Sequence, residues 1–451
     1  MDEKKIHLLS KAPVGKAIFA MSIPMVLGMM IQLLYNLVDI YFIGKLGDRN
    51  QLAAANLTTP LFMVLMALSG IIGTGAASCI SRCMGKSNYE KASRVLSSGM
   101  TICCCLGILT SIIGVIFITP IVQALGAVDE TYSFALDYSL VLLLGAAIIM
   151  SNFALGQLLR SEGSAIVSMM GMLIGTVANT ILDPIFIFVL HMGIRGAAIA
   201  TVLGNALGLI YYIQFYLRDK SMVKFKFKNI SFDKDIWKEI FSIGTPSSIS
   251  QLLMGISVML CNNLVVPYGS NTVAGMGVAS KIMTIGTYIF MGFAAGCQPL
   301  LGYNFGSGDY RRVKDIIKKG MLITSGIGVV LTLLFCAFSN PLISFFTPLP
   351  DVISQGSRIL VGLMWSLPVY GAQMVGAVTA QAMGKAKASL LLSVARQGIF
   401  YIPLLFILNT LFGLDGLIFA QPLADLLALV LSIVVLAAII KKASQELQQR
   451  E

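Results

Sequence analysis

The sequence predicts an all-α polytopic membrane protein, with twelve transmembrane helices in two pseudo-symmetric six-helix lobes. Three observations support this fold class: the composition, the recurrence of long apolar runs, and an internal sequence repeat. Of the 451 residues, 57% are hydrophobic and only 12% are charged, whereas an average soluble domain has about 25% charged residues. Because so few charges cannot cover a soluble protein of this length, the chain is expected to lie in a membrane.

Apolar runs that are long enough to cross a bilayer recur twelve times along the chain. A helix needs roughly 20 apolar residues to span about 30 Å of hydrocarbon. The first run is too long for the apolar region of a signal peptide and is expected to be retained. The predicted spans 1 to 12 cover residues 17–43, 52–80, 93–118, 134–158, 164–190, 194–217, 238–266, 270–302, 316–338, 353–381, 387–410 and 413–440.

The basic residues are distributed unequally between the two sets of loops. Most of the 32 Lys and Arg residues lie in the tails and in the loops after every second span, whereas the opposite loops contain only Lys45, Arg49, Arg195 and Arg358. Loops rich in Lys and Arg lie on the cytoplasmic side, so both termini are predicted to be cytoplasmic. The net charge of +11 therefore reflects membrane topology and attraction to anionic lipid head groups, and we expect no nucleic-acid partner.

An internal repeat divides the chain into two halves. Met84-Gly-Lys-Ser-Asn-Tyr89 recurs as Phe305-Gly-Ser-Gly-Asp-Tyr310, and Gly193-Ile-Arg-Gly196 recurs as Gly413-Leu-Asp-Gly416. The order and the offset of about 221 residues are kept, which predicts an N-terminal lobe at 1–217, a cytoplasmic linker at 218–237 and a C-terminal lobe at 238–451. Parallel repeats of this kind are a recurring plan of transporters, although the repeat alone is also compatible with a channel.

The first span contains a polar stripe on an otherwise apolar helix. Gln32, Tyr35, Asn36 and Asp39 are spaced three, four and seven residues apart, which places them on one helix face. An ionisable group at membrane depth costs about 2.5–3.5 kcal/mol, so Asp39 is interpreted as a functional residue. For the amides, hydrogen bonding between helices is an equally good explanation.

The fifth and sixth spans add further oxygen ligands. Asn179 and Asp183 lie four residues apart, and Pro184 follows directly. Proline removes the hydrogen bond to the carbonyl group of Thr180, so a carbonyl, an amide and a carboxylate oxygen point into one volume. Such ligands suit Na⁺, whereas a buried Asp183 without a cation could carry a proton. Thr201 contributes a hydroxyl group from span 6.

The second half has a different polar content. It has amides where the first half has its carboxylates, so ion coupling is predicted in the N-terminal half. Arg396 and Asp425 lie on successive spans and are expected to neutralise each other, in a structural pair rather than a transport site. Lys281 has no partner that the sequence identifies.

The sequence contains no motif of a known catalytic or metal site. The eight cysteines lack the spacing of a zinc site, and no GxSxG, HExxH or Walker A motif is present. The protein is therefore predicted not to be an enzyme, to contain no cofactor, and not to use ATP within this chain.

Seven short motifs are distributed over nearly the whole chain: Ser22-Ile-Pro24, Asp39-Ile-Tyr-Phe-Ile-Gly44, Ser81-Arg-Cys-Met-Gly85, Asn179-Thr-Ile-Leu-Asp-Pro184, Gly193-Ile-Arg-Gly-Ala-Ala198, Gly244-Thr-Pro246 and Gln298-Pro-Leu-Leu-Gly-Tyr-Asn-Phe305. With these motifs the chain resembles the multidrug and toxic compound extrusion (MATE) family, most closely its bacterial MepA-like members. The resemblance implies a V-shaped arrangement of two lobes around a central cavity, in the bacterial cytoplasmic membrane.

The resemblance also implies a function and a site. Members of the family export amphipathic, often cationic compounds in exchange for H⁺ or Na⁺. Their cation-coupling site corresponds here to Asp39, Asn179, Asp183 and Thr201, which would also be the ligands if the ion is Na⁺. We predict that Tyr35, Asn36, Gln251 and Met291 line the substrate cavity. We further expect small amphipathic molecules and membrane lipids as the partners of a functional monomer.

Two other functions are compatible with parts of this pattern. A flippase for lipid-linked oligosaccharides shares the superfamily plan, but it would need a cationic cavity, and only Lys281 and Arg396 are available at membrane depth. A membrane-embedded enzyme such as an acyltransferase would need a nucleophile or a histidine-rich site near an interface. Only His191 lies near one.

Overall fold

The computed structural model describes residues 2–46, 48–218, 221–231 and 233–448. Of the predicted linker 218–237, residues 219, 220 and 232 lie outside this set. The described residues form helices and no strand, which agrees with the predicted all-α class. The α-helices are α1 (Asp2–Ser10), α2 (Val14–Gly44), α3 (Arg49–Gly85), α4 (Tyr89–Ile116), α5 (Ile118–Ala124), α6 (Asp129–Leu144), α7 (Ala146–Ser161), α8 (Ala165–Pro184), α9 (Gly193–Leu217), α10 (Lys234–Val265), α11 (Ser270–Gly306), α12 (Tyr310–Ala337), α13 (Ser339–Ser344), α14 (Pro350–Met364), α15 (Leu367–Ala382), α16 (Ala386–Val394) and α17 (Ile402–Gln448).

The number of spans follows from length, composition and helix breaks. Within the described residues, nine helical stretches are long and apolar enough to cross a membrane, and two bent pairs raise the number to eleven. The bent pairs are α6 with α7, at 55°, and α14 with α15, at 45°. The stretch Ala386–Ala443 is one of the nine, but Gly413 interrupts it with non-helical angles of φ 59° and ψ −134°. Gly413 is the first residue of the predicted span 12, so the structure is compatible with twelve spans.

The backbone repeats with the same period as the sequence. The helices α3 and α11 both have 37 residues, α4 and α12 both have 28, and α7 and α15 both have 16. In each pair the second helix begins 221 residues after the first. Positive φ angles recur at the same separation or one residue less, in the pairs Ser87 and Gly308, Gly163 and Gly384, and Gly193 and Gly413.

The contacts divide the chain into two compact units. The first unit contains Leu27–Ser248 and the residues up to Leu8, and the second contains Leu9–Val26 and the chain from Ile249 onward. The predicted lobes, 1–217 and 238–451, were divided at the linker instead. The contacts therefore assign the first part of α2 to the second unit and the first part of α10 to the first unit, because helix packing and not the sequence repeat decides which segments touch.

In the second unit, Leu9–Val26 lies against α11. Ser22 Oγ donates a hydrogen bond to the carbonyl oxygen of Phe293 at 3.0 Å, and Asn304 Nδ2 donates to the carbonyl oxygen of Leu9 at 2.9 Å. A Cβ atom on Gly296 would lie 2.4 Å from Cα of Ser22. The absence of a side chain at Gly296 therefore permits the close approach of the two backbones.

In the first unit, the beginning of α10 packs against α3. Ser248 Oγ donates to the carbonyl oxygen of Ala67 at 2.6 Å. Arg82 and Lys91 both form ion pairs with Glu239. A Cβ atom on Gly244 would lie 1.8 Å from the carbonyl oxygen of Ile71, so this contact also depends on a residue without a side chain.

We expect Gly244→Val to lower the melting temperature of the detergent-purified protein, since its side chain would displace the backbone of α3. Overpacking typically costs about 1–3 kcal/mol, occasionally more. The control is Gly255→Val on the same helix, where a Cβ atom meets nothing within 4 Å. Equal melting temperatures for the two variants would contradict the packing described.

Candidate functional site

A cluster of oxygen-bearing side chains lies inside the first unit, where α2, α8 and α9 meet. The Tyr35 and Thr201 hydroxyl groups lie 3.3 Å apart, and Asn179 Nδ2 donates a hydrogen bond to Thr201 Oγ1 at 3.3 Å. The close approach of α8 and α9 makes this possible. A Cβ atom on Gly204 would lie 2.6 Å from the carbonyl oxygen of Gly175, so two glycines allow the helices to come together one turn from Asn179.

Two carboxyl groups complete the cluster. Asp183, on α8, is fully buried, and Asp39, on α2, is close enough for the two carboxyl groups to interact. Among the described residues, Asp39 Oδ1, Asn179 Oδ1 and both carboxylate oxygens of Asp183 have no hydrogen-bond donor. Buried oxygen atoms of this kind are costly without a partner. A proton on one carboxyl group or a hard cation such as Na⁺ would satisfy them.

The backbone beside Asp183 is irregular, as the proline predicted. The helix α8 ends at Pro184, and a π-helical segment, Ile185–Val189, follows it. Pro184 has no N–H group to donate to the carbonyl oxygen of Thr180. Departures of this type are frequent at functional sites, and here the irregular backbone directly follows the buried carboxylate.

The structure brings together all four residues that were predicted to couple the cation: Asp39, Asn179, Asp183 and Thr201. It adds Tyr138 of α6, which is buried and lies within electrostatic range of Asp39 and Asp183. Tyr138 is not among the residues predicted from the sequence. Its position inside the predicted span 134–158 was the available signal, but a single tyrosine at the beginning of a span is also typical of the membrane interface.

Two asparagine side chains form hydrogen bonds that stabilise the backbone at Thr201. Asn205 Nδ2 donates a hydrogen bond to the carbonyl oxygen of Thr201 at 2.8 Å. Asn152 Nδ2, on α7, donates to Asn205 Oδ1 at 2.9 Å. These bonds link α7 to α9 and hold the segment of α9 that presents the threonine.

The residues predicted to line the substrate cavity belong to both units. Tyr35 and Asn36 are half-buried on α2 in the first unit, and Tyr35 also contacts the oxygen cluster through Thr201. In the second unit, Gln251 is exposed and Met291 is half-buried. Their role in substrate binding stays a prediction.

The second unit contains the predicted ion pair. Arg396 Nε donates to Asp425 Oδ1 at 2.6 Å, and the guanidinium carbon lies 4.2 Å from the centre of the Tyr370 ring. Asp425 also accepts hydrogen bonds from Gln421 Nε2 and Ser366 Oγ. This confirms the expected neutralisation, because the buried carboxylate has a charged partner and two polar ones.

No group of three or more His, Cys, Asp or Glu side chains suited to a metal ion occurs in the described part of the chain. The cluster of Asp39, Asn179, Asp183 and Thr201 has only two carboxylates, together with one amide and one hydroxyl group. Such a set suits a monovalent cation or a proton better than a divalent metal, because hard divalent cations are usually held by more carboxylate ligands.

Comparisons with known proteins agree on one family. The sequence model of the MatE family matches the chain twice, at residues 24–185 and 246–407, so the second match begins 222 residues after the first. The multidrug export protein MepA of Staphylococcus aureus (strain MSSA476) is 32% identical over 425 residues, which is 94% of each chain. MepA of Staphylococcus haemolyticus (strain JCSC1435) has the same identity and coverage.

Solved structures show the same similarity. One is described as the outward-facing conformation of a multidrug resistance MATE family transporter of the MOP superfamily; it has a TM-score of 0.93 and 27% identity. Another is a MOP superfamily transporter from Pyrococcus furiosus whose binding pocket is described as having reverse polarity; it has a TM-score of 0.90 and 28% identity. Each of these two matches covers 98% of this chain and 99% of the chain in the solved structure.

Ion binding at the cluster is expected to stabilise the purified protein. Adding Na⁺ in place of choline, or lowering the pH, should raise the melting temperature, because a ligand at 100 times its Kd stabilises the folded state by about 2.7 kcal/mol. Asp183→Asn should remove this increase. Glu90→Gln is the control, since it removes an exposed carboxylate that pairs with Arg94. An unchanged response in Asp183→Asn would exclude the cluster as the ion site.

The buried pair of the second unit is expected to be structural. Asp425→Asn should destabilise the protein by about 3–5 kcal/mol, because it leaves Arg396 buried without its counter-ion. The double variant Arg396→Met/Asp425→Leu should recover part of the loss. If the double variant is no more stable than the single one, the pair does not act as a neutralised unit.

Proposed function

Since the chain belongs to the MATE family of multidrug transporters, we propose that it is a secondary active antiporter. It exports amphipathic, often cationic compounds in exchange for H⁺ or Na⁺ by alternating access. The observation that carries this proposal is the cluster of buried oxygen atoms without donors at Asp39, Asn179 and Asp183. Their cost is relieved when a cation or proton binds, so ion binding supplies free energy that can drive a conformational change.

In this proposal, ion binding at the cluster changes the bend of α2. Residues 14–26 of this helix belong to the second unit and residues 27–44 to the first, and Pro24 lies just before the division. The proline removes the hydrogen bond to the carbonyl oxygen of Ala20, so the helix can bend there. Ion binding at Asp39 and Asp183 acts on the part of α2 that follows the bend.

Coupling requires that the ion and the drug stabilise different states. A ligand that binds two states equally shifts nothing. In the proposed cycle, the state that binds the ion at Asp39 and Asp183 has low affinity for the drug. The ion therefore enters from outside and releases a drug that came from the cytoplasm, without a catalytic step or a cofactor.

The proposal also includes the oligomeric state, the membrane and the topology of the protein. We propose that the protein functions as a monomer in the bacterial cytoplasmic membrane, with both termini in the cytoplasm. The topology rests on the unequal distribution of Lys and Arg between the loops. The bacterial relatives support the membrane and the organism class.

A lipid flippase is not favoured. Such a protein needs free cations for a pyrophosphate group, but Arg396 is already paired with Asp425. Of the two cations at membrane depth, only Lys281 then stays available. The relatives are named as multidrug exporters, which agrees with the carboxylate-rich cluster and not with a site for a lipid-linked pyrophosphate.

Dye export from right-side-out proteoliposomes tests the antiport. An inward-directed gradient of pH or of Na⁺, imposed separately, should accelerate the export of a loaded cationic dye. Asp183→Asn should abolish the acceleration while equilibrium binding of the dye is kept, because the substitution removes the ion site only. Glu90→Gln should behave like the wild type.

Two results would contradict the proposal. If Asp183→Asn responds to the gradient like the wild type, the cluster does not couple transport to an ion. If the wild type responds to neither gradient, it is not an H⁺ or Na⁺ antiporter, and competition by a lipid-linked sugar would then test the flippase directly.

A further inference from the structure

One charged residue at membrane depth has no role in the cluster or in the buried ion pair. Lys281 lies on α11, eleven residues after the first residue of the helix, which places it about 16 Å along the helix axis. Its side chain is exposed. Within the described part of the chain, it forms no hydrogen bond or ion pair. A free ammonium group inside an apolar span is unusual and is by default a functional residue.

The surface around Lys281 is polar and open. Gly277, Ser280 and Lys281 are exposed on the same side of α11, and Thr284 follows one turn later. A Cβ atom on Gly277 would meet nothing within 4 Å. Among the described residues, no side chain therefore fills the space beside Gly277, one helical turn before Lys281.

The exposed surface of the neighbouring helix α12 is apolar, unlike that of α11. The exposed large apolar side chains of α12 are Leu322, Val329, Val330, Leu333 and Leu334, whereas α11 exposes none after Val273. A surface in contact with lipid tails is apolar, as on α12. The polar side of α11 is consequently better suited to a water-filled cavity than to lipid, and an ammonium group there can stay charged.

Among the described residues, no carboxylate lies within ion-pair distance of Lys281. Asp425 is fully buried and engaged by Arg396, Gln421 and Ser366. Asp415 forms an ion pair with Arg358. The repeat does not explain the charge either, because the residue that precedes Lys281 by 221 positions is Pro60. The ammonium group is thus free to bind an anion that comes from outside the chain.

We propose that Lys281 is a specificity-determining residue that binds a carboxylate group of the transported molecule. The inference rests on the proposed export function and assigns to Lys281 the recognition of those transported molecules that have a carboxylate group. An ammonium group and a carboxylate form a charge-assisted hydrogen bond, which is stronger than one between neutral groups. A purely cationic compound gains nothing from Lys281 and is repelled by it.

A matched pair of dyes isolates the carboxylate. Rhodamine 19 has a free carboxylate and is zwitterionic, and rhodamine 6G is its ethyl ester and a cation. Export of each is measured in proteoliposomes for the wild type, Lys281→Gln, Lys281→Arg, and Lys45→Gln as a control in a predicted loop. Equilibrium binding of each dye to the detergent-purified proteins is measured by fluorescence polarisation.

Lys281→Gln should weaken the binding of rhodamine 19 by about tenfold, the value of one charged hydrogen bond. It should raise the KM of rhodamine 19 export and leave its kcat nearly unchanged, since binding and not the conformational cycle is affected. Binding and export of rhodamine 6G should stay the same or improve. Lys281→Arg should retain the binding and export of rhodamine 19. Lys45→Gln should bind and export both dyes like the wild type.

Other results would overturn the proposal. If Lys281→Gln weakens the binding and export of both dyes equally, Lys281 has a structural role. If it weakens neither, Lys281 does not contact the carboxylate. If the effect of Lys281→Gln occurs only when phosphatidylglycerol is added to phosphatidylcholine vesicles, Lys281 binds an anionic lipid instead. If the wild type exports neither dye, the export function fails, and the binding measurements alone still decide whether Lys281 recognises the carboxylate.

Discussion

The constraint on which this structure depends is that lipid tails cannot solvate a polar group, which must pair inside the protein, bind an ion or a proton, or face water. The chain meets this constraint in three ways. Asp425 and Arg396 neutralise each other inside the second unit. The oxygen atoms of Asp39, Asn179 and Asp183 have no donor among the described residues, so they depend on an ion or a proton. Lys281 stays exposed on a polar helix surface. The same constraint thus produces a structural pair, a proposed ion site and a proposed substrate contact.

The two halves have the same helix lengths and turns but different polar side chains. Equal helix lengths and positive φ angles recur about 221 residues apart, which indicates that the repeat preserves helix length, breaks and turns. The polar side chains do not follow the repeat. Gly175 and Gly204 let α8 and α9 approach closely, and an arginine and a carboxylate connect the corresponding helices of the second half. A repeated scaffold with unequal polar residues allows the proposed ion site to act on one half only.

Two long helices each belong to both compact units, and small residues make this possible. Gly296 allows the beginning of α2 to pack on α11, and Gly244 allows the beginning of α10 to pack on α3. A larger side chain at either position would collide with a backbone, not with a flexible side-chain end. The helix α2 thus has one part in each unit, with Pro24 close to the division, and it is the helix on which the proposed ion binding at Asp39 acts.

The sequence by itself determined the all-α membrane fold class, the repeat and the residues that share one helix face. These properties are local or periodic: composition, runs of about 20 apolar residues and a spacing of three or four. It also identified Asp39, Asn179, Asp183 and Thr201 as one group, through the family resemblance. Only the tertiary structure showed that Tyr138 is buried within electrostatic range of Asp39 and Asp183, that Tyr370 stacks on Arg396, and that Leu9–Val26 packs with the second half. Such contacts join residues far apart in the chain, and the shapes of two helix surfaces decide them, which the periodicity of a single helix does not encode.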